Sequence, residues 1–301
     1  MEGHLERDGH RTWYRVAGEL DPDALRAPVV ICHGGPGATH DYVAPIAELS
    51  RTGRACVLYD QLGNGHSDHL PDADPSFWTV ELFKDELTAL TEHLGIAGRY
   101  HVVGQSWGGM LAFDHALDHP PGLLSIVGAD APADAAAFAA GACALVDTLP
   151  AEAARAIRHH EAAGTTDSPE YEAAIMEFYT RYVCRLDPWP DALVATFDAM
   201  EADPTVYRTM NGPSEFTVVG TIRDWSVVDR LPEIDVPVLL VSGEHDEVRP
   251  DVVRVIDERV PDSEWILFED CSHSPHLEAP ERFLRVVEGF LERVEGPGGG
   301  R

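Results

Sequence analysis

The sequence contains no apolar run long enough to cross a bilayer. Its longest apolar stretches, such as Val238 to Val241, are far shorter than the roughly 20 residues that a membrane-spanning helix needs. Composition also excludes collagen, coiled coil and intrinsic disorder, because 44% of the 301 residues are hydrophobic and 25% are charged. We therefore expect a soluble globular protein of one or two domains with a full hydrophobic core.

Basic residues are scarce. The chain has 22 Lys and Arg against 52 Asp and Glu, a formal net charge of −30, and Lys84 is its single lysine. A field of this sign repels phosphate backbones and anionic lipids, so it argues against nucleic acids and membrane surfaces as partners. It favours cationic ligands, although a simple role in solubility explains the same excess.

Cysteines are few and odd in number. They are scattered as Cys32, Cys56, Cys143, Cys184 and Cys271. This pattern does not indicate a disulfide framework, and the absence of a C-x-x-C pair excludes a zinc ribbon. The first ten residues also lack the apolar segment of a secretory signal, so we expect a cytoplasmic protein with reduced thiols.

Strand-like and helix-like segments alternate over most of the chain. Asp8-Gly9 predicts a tight turn in a hairpin between 4–7 and 11–16. Apolar runs predict strands at 28–33, 55–59, 100–103, 124–128, 237–242 and 264–268. Helical patterns occupy 42–49, 80–94, the segment after Ser106, 250–259 and 280–294. This alternation predicts an α/β fold with a mostly parallel central sheet.

The pattern changes between about residues 133 and 229. Helical periodicity dominates there, with candidate helices at 133–149, 151–163, 169–184 and 190–201. We interpret this segment as a helical cap, 133–229, inserted into a core formed by 1–132 and 230–296. The glycine-rich tail, 297–301, is expected to be flexible.

A candidate nucleophile lies in the sequence Gly104-Gln105-Ser106-Trp107-Gly108. This G-x-S-x-G pattern follows a predicted strand and precedes a helical pattern, the context in which a sharp turn lifts a serine hydroxyl above a sheet. The motif alone is common by chance. Its position, with Gly109 following, favours Ser106 as a catalytic serine.

A serine needs a base that is held by a carboxylate, and later loops of the chain offer both. Asp246 follows the strand at 237–242, and His273 follows the strand at 264–268. Both residues come after Ser106 and at carboxyl ends of strands, in the chain order of an α/β hydrolase. The alternatives are Asp130 for the acid and His276 for the base.

Acyl transfer also needs donors for a developing oxyanion. One is the backbone N–H of Trp107, directly after the serine. The second is expected from the loop His33-Gly34-Gly35-Pro36-Gly37, where we choose Gly35.

Two other patterns do not indicate cofactors. The segment Asp60 to Ser67 has glycines but lacks the Lys-Ser/Thr of a phosphate loop, so we interpret it as a structural turn. The pairs His159-His160 and His273 with His276 lack an HExxH pattern or acidic partners at ligand spacing. We therefore expect no metal and no cofactor.

The motifs together resemble the α/β-hydrolase superfamily and, within it, the proline iminopeptidase family and the similar L-amino acid amidases. The matching pieces are HGGPG at 33–37, DQLGNGHS at 60–67, GQSWGG at 104–109, NGPSEF at 211–216, GTIRDW at 220–225, GEHDEV at 243–248 and CSH at 271–273. The resemblance implies a triad of Ser106, Asp246 and His273, with oxyanion donors from Gly35 and Trp107. It further implies that Glu215 and Glu247 hold the free α-ammonium of the substrate.

The expected function is that of a serine hydrolase acting through an acyl-enzyme. Its substrate would be a small peptide, amide or arylamide with a free N-terminal amine, proline being favoured through the family resemblance alone. An amino-acid amidase or carboxylesterase with the same triad remains open, as does a non-catalytic protein that binds a small ligand. Cap aromatics offer candidates for the proline-binding wall, namely Phe138, Phe178, Tyr179, Trp189, Tyr207 and Phe216. The oligomeric state stays undetermined.

Overall fold

One eight-stranded sheet runs through the structure, a computed structural model that describes residues 1–21 and 24–296. Its strands are β1 Glu2–Arg7, β2 His10–Ala17, β3 Val29–Cys32, β4 Cys56–Tyr59, β5 Tyr100–Gln105, β6 Leu123–Ala129, β7 Val238–Gly243 and β8 Ser263–Phe268. They lie in the order β1-β2-β4-β3-β5-β6-β7-β8. The pairs β1–β2 and β2–β4 are antiparallel and the others are parallel, so the predicted mostly parallel sheet is confirmed.

Helices cover both faces of this sheet. They are α1 Val80–His93, α2 Trp107–Ala116, α3 Ala135–Val146, α4 Ala151–Ala163, α5 Pro169–Tyr182, α6 Asp191–Ala202, α7 Thr205–Met210, α8 Pro250–Arg259, α9 Pro275–Glu278 and α10 Pro280–Glu295. Shorter 3₁₀ segments lie at Ala44–Thr52, Pro75–Phe77 and Leu231–Glu233. Among the described residues, no helix combines the length and the apolar content that crossing a bilayer requires.

Five of the helices, α3 to α7, follow β6 and precede β7 in the sequence. The structure describes this stretch throughout, and it contains no strand of the sheet. Buried residues of this stretch, such as Phe138, Phe178 and Phe216, belong to the same apolar cluster as Val102 of β5 and Leu111 of α2. The helices therefore pack directly on the body of the molecule. The tail at 297–301, predicted to be flexible, lies outside the described residues.

The C-terminal helix is fastened to the sheet by a buried arginine. Arg54 precedes β4, and its guanidinium donates to Glu288 at 3.1 Å, to Glu295 at 3.1 Å and to the carbonyl of Ala27 at 2.8 Å. Its side chain is fully buried. A buried cation in this position is stable only because two carboxylates from α10 and a backbone carbonyl satisfy it.

Replacing Arg54 with methionine is expected to lower the free energy of unfolding by about 3 kcal/mol, because the buried carboxylates lose their main counter-charge. Urea denaturation measures this loss. The matched control is Arg51→Met, since Arg51 is exposed and pairs only with Glu48 three residues earlier. Equal, small effects of the two substitutions would show that the buried ion pair does not hold α10 in place.

Candidate active site

Ser106 lies at a strained turn between β5 and α2. Its φ and ψ are 55° and −121°, a region that L-residues rarely adopt without support from their surroundings. The flanking glycines are required by space: a Cβ on Gly104 would lie 2.0 Å from the carbonyl oxygen of Gly108, and one on Gly108 would lie 2.2 Å from that of Cys32. This is the strand-turn-helix geometry that the G-x-S-x-G pattern predicts.

His273 and Asp246 are hydrogen-bonded to each other. The Nδ1 of His273 lies 2.6 Å from Asp246 Oδ1, and both side chains are buried. Asp246 Oδ1 also accepts from the backbone N–H of Val248 at 2.8 Å, which fixes the carboxylate in its loop. The two loops meet because β7 and β8 are parallel neighbours, so their carboxyl ends lie at one edge of the sheet.

A single carbonyl from the inserted helices holds both of these loops. The carbonyl oxygen of Tyr182, at the end of α5, accepts from the N–H of Glu247 at 3.3 Å and from that of His273 at 3.1 Å. From the opposite side, Gln105 Nε2 donates to the carbonyl of His273 at 2.9 Å. The imidazole is thus positioned by residues of β5 and α5 together, and no sequence motif predicted these supporting contacts.

Ser106 and His273 line one cavity of about 480 Å³. In the described part of the chain the serine hydroxyl makes no hydrogen bond, and the Nε2 of His273 lies 3.5 Å from Glu247 Oε1. Catalytic hydrogen bonds are often long before substrate binds. The structure therefore brings the predicted residues to one cavity, with the imidazole facing a carboxylate.

Glu215 and Glu247 line this cavity as well. Tyr207 donates from its hydroxyl to Glu215 Oε1 at 2.6 Å, while Glu247 Oε2 is buried without a hydrogen-bond partner among the described residues. Burial raises the pKa of Glu215, and burial together with the charge of Glu215 raises the pKa of Glu247 well above its ordinary value. Buried carboxylates of this kind favour a bound cation.

The same carboxylates act on the imidazole. Burial by itself lowers the pKa of His273, but the charges of Asp246, Glu247 and Glu215 outweigh this effect and raise it to about 9. These neighbours therefore favour the protonated form of the ring.

The two alternative residues lie beside the site without replacing the predicted pair. Asp130 accepts from the N–H of Gly243 at 3.0 Å, and burial and the neighbouring Asp246 carboxylate raise its pKa well above the ordinary value. His276 lies 3.1 Å from the carbonyl of Tyr42 through its Nε2, and burial lowers its pKa to about 3. Asp130 therefore supports the loop of Gly243 beside Asp246, and His276 is a buried packing residue.

Gly35 and Trp107 line one narrow recess together with Ser106. Trp107 is the first residue of α2, so its backbone N–H has no partner within the helix. Its indole is held away from the cavity by a hydrogen bond from Nε1 to Gln61 at 2.8 Å. Gly35 has a φ of 109°, which suits a glycine.

The cap aromatics divide into two groups. Tyr179, Trp189 and Tyr207 line the cavity, and Phe138 lines the recess. Phe178 and Phe216 pack against each other in the core, with ring centroids 5.2 Å apart. Those two are therefore structural.

The segment Asp60 to Ser67 forms a closed turn. The carboxylate of Asp60 accepts from the backbone and from the Nδ1 of both His40 and His66, at 2.7–3.0 Å. Burial opposes the charge of Asp60, but these hydrogen bonds outweigh it and keep the pKa below its ordinary value. These three side chains are close enough to hold a cation, as are Asp130, Asp246 and His273. In the first group the side chains already bind one another, and in the second Asp246 and His273 do.

The comparisons with known proteins agree with this geometry. Residues 27–280 match the family of the α/β hydrolase fold, so fold and site together define an α/β hydrolase. The chain is 33% identical to a proline iminopeptidase of Lactobacillus helveticus over 97% of its own length and 98% of the relative's. It therefore belongs to the proline iminopeptidase family of α/β hydrolases, which confirms the resemblance, and it is a hydrolase.

Two solved structures are still more similar in sequence. The crystal structure of VinJ is 49% identical, with a TM-score of 0.94 over 97% of this chain and 98% of that one. The crystal structure of a proline iminopeptidase from Mycobacterium smegmatis is 46% identical, with a TM-score of 0.91 over 98% and 99% of the two chains.

Proposed function

We propose that this hydrolase is an aminopeptidase that removes an N-terminal residue, with proline favoured, from small peptides, amides or arylamides. The observation that carries the proposal is a pair of carboxylates in the same cavity as Ser106: Glu247, which is buried, and Glu215, which is half-buried. The related proline iminopeptidases support the preference for proline over the amidase and esterase alternatives.

In the proposed reaction, the Oγ of Ser106 attacks the carbonyl carbon of the substrate's first residue. His273 takes the serine proton, and Asp246 keeps the ring oriented and stabilises its charge. The imidazolium then gives that proton to the leaving amine. Water, activated by the same imidazole, hydrolyses the acyl-enzyme and restores the serine.

The charge that develops on the carbonyl oxygen needs fixed donors. We assign this role to the backbone N–H groups of Gly35 and Trp107. The position of Trp107 at the start of α2 supports the assignment, because the N-terminus of a helix presents free N–H groups and a positive dipole end.

The carboxylate pair explains why such an enzyme would act at chain ends. An α-ammonium that binds Glu215 and Glu247 gains charge-assisted hydrogen bonds, each worth about 1.5–3 kcal/mol. An internal peptide bond has no such cation to offer, and it would leave Glu247 Oε2 buried without a partner.

The recess beside Ser106 is the place we propose for the side chain of the N-terminal residue. It adjoins Glu215 and has apolar walls, which include Met110, Ala135, Phe138 and Ile222. With free room of only about 10 Å³, it favours a small side chain. The larger cavity then accepts the leaving group.

A panel of aminoacyl arylamides tests this assignment. Prolyl and alanyl arylamides are expected to have a kcat/KM at least about tenfold above that of the phenylalanyl compound, because a tight pocket discriminates against added bulk. Phe138→Ala should reduce this preference by enlarging the recess. Met176→Ala is the matched control, since Met176 lines the larger cavity.

Two results would contradict the assignment. One is a preference that Phe138→Ala leaves unchanged. The other is faster hydrolysis of a short-chain ester or a simple amino-acid amide than of every arylamide, which would favour an esterase or amidase.

We also propose that residues 133–229 act as a cap that supplies Glu215 and the recess wall, while 1–132 and 230–296 supply the catalytic loops. The insertion of α3 to α7 between β6 and β7 supports this division. The free thiols of all five cysteines support a cytoplasmic location.

A further inference from the structure

Three hydroxyl groups converge on the carboxylate of Glu161, near the end of α4. Ser214 and Tyr171 donate to its Oε1 at 2.6 and 3.0 Å, and Thr217 donates to its Oε2 at 2.5 Å. A carboxylate can only accept hydrogen bonds, so it orients all three hydroxyls toward itself. Hydroxyl-to-carboxylate bonds are short and about twice as strong as bonds between neutral groups.

Two of these donors flank Glu215. Ser214 and Thr217 form an isolated antiparallel bridge, in which the N–H of Thr217 donates to the carbonyl of Ser214 at 3.3 Å. Asn211 Nδ2 donates to the same carbonyl at 3.0 Å. The turn at 214–217 is therefore closed by its own backbone and tied to α4 through the side chain of Glu161.

Glu161 is outside the cavity that holds Ser106. The cavity wall includes Glu215 but not Glu161, Ser214 or Thr217 among the described residues. Glu161 therefore contacts the support of Glu215 and not the substrate. Tyr207, which donates to Glu215 directly, fixes the side chain, whereas Glu161 fixes the backbone from which that side chain extends.

We propose that Glu161 is a positioning residue for amine recognition: by holding the 214–217 turn against α4, it places Glu215 where it can bind the α-ammonium of the substrate. The proposal rests on the proposed function, because it assigns Glu215 to the amine. It predicts that Glu161 affects substrates with a free amine and leaves the acyl-transfer chemistry of Ser106 unaffected.

The test compares two substrates, prolyl p-nitroanilide, which carries the amine, and p-nitrophenyl acetate, which does not. Glu161→Ala is expected to raise KM for the anilide by about tenfold or more, since a displaced ligand loses most of its contact, with kcat changed far less. Hydrolysis of the ester should stay within about twofold of the parent enzyme. Glu161→Gln keeps part of the hydrogen bonding and should give a smaller rise in KM.

Two further variants distinguish the positioning of Glu215 from the loss of a negative charge on α4 and from a failure to fold. Glu152→Gln removes an exposed charge from the same helix and is expected to leave both substrates unaffected. Thr217→Val removes one donor but keeps Glu161, so it should raise KM for the anilide alone. It also keeps the test decisive if Glu161→Ala does not fold.

The double variant Glu161→Ala/Glu215→Gln distinguishes a failure of the positioning role of Glu161 from a failure of amine binding by Glu215. If Glu161 acts through Glu215, its replacement has no added effect once Glu215 is changed. If Glu215→Gln raises KM for the anilide and Glu161→Ala does not, the positioning role is overturned and the proposed function stands. Equal losses on anilide and ester in Glu161→Ala also overturn it. If Glu215→Gln itself leaves KM unchanged, the amine site fails and this inference fails with it.

Discussion

Replacing Ser106 with alanine is expected to reduce turnover of a prolyl arylamide by roughly 10⁵- to 10⁶-fold. Without the serine hydroxyl no acyl-enzyme can form, so the imidazole has no proton to accept and the oxyanion donors have no intermediate to stabilise. The turn at 106 is held by the closely packed Gly104 and Gly108, and the serine hydroxyl makes no hydrogen bond in the described structure. The fold should therefore be retained, as circular dichroism and the melting temperature would show.

Ser50→Ala is the matched control for this experiment, since Ser50 lies in the 3₁₀ segment at Ala44–Thr52, away from the cavity. A fluorophosphonate probe gives a second readout: it should label the parent enzyme and the Ser50 variant on Ser106, and not the Ser106 variant. Full turnover by the Ser106 variant would refute the mechanism.

Acetylating the amine of a good substrate is expected to lower kcat/KM by about 10²- to 10⁴-fold. Two charge-assisted hydrogen bonds of about 1.5–3 kcal/mol each correspond to this range. The acetylated substrate also leaves the buried Glu247 without a cation, which adds to the loss. The measurement compares the free and acetylated forms of one arylamide with the same enzyme preparation.

Variants of the carboxylates show whether they cause this discrimination. Glu215→Gln and Glu247→Gln should each lower kcat/KM for the free amine and bring the two forms closer together. Glu172→Gln, on the exposed face of α5, should preserve the full ratio. Equal rates for free and acetylated substrates in the parent enzyme would remove both glutamates from the proposed role.

Much of the architecture could be predicted from the sequence because its elements have strong periodic signals. Helices α4 and α8 have the predicted bounds, and the apolar runs of β3 and β7 became buried parallel strands, whereas the run at 264–268 became the half-exposed edge strand β8. The short helices α7 and α9 were missed, since four to six residues are too few to show a period. The segment at 42–49 became a 3₁₀ helix that ends at Gly53 with a φ of 93°.

The candidate site also contains residues that the sequence could indicate and contacts that it could not. Ser106 and His273 could be proposed from the sequence because they belong to compact motifs whose chain order and position at strand ends are characteristic. The supporting contacts were not visible. The Tyr182 carbonyl has no side-chain signature, and the hydroxyls that reach Glu161 come from segments joined only in three dimensions.

On the proposed function, the contact between Glu247 and the imidazole links amine binding to the pKa of His273. Without substrate, neighbouring charges raise that pKa to about 9, and a protonated imidazole cannot accept the proton of Ser106. An ammonium that binds these carboxylates cancels their charge, so the imidazole loses its extra proton to solvent and becomes a base. By linkage, each process promotes the other. If Glu215 and Glu247 bind the amine as proposed, a cationic end group would therefore lower the pKa of His273 as well as dock the substrate.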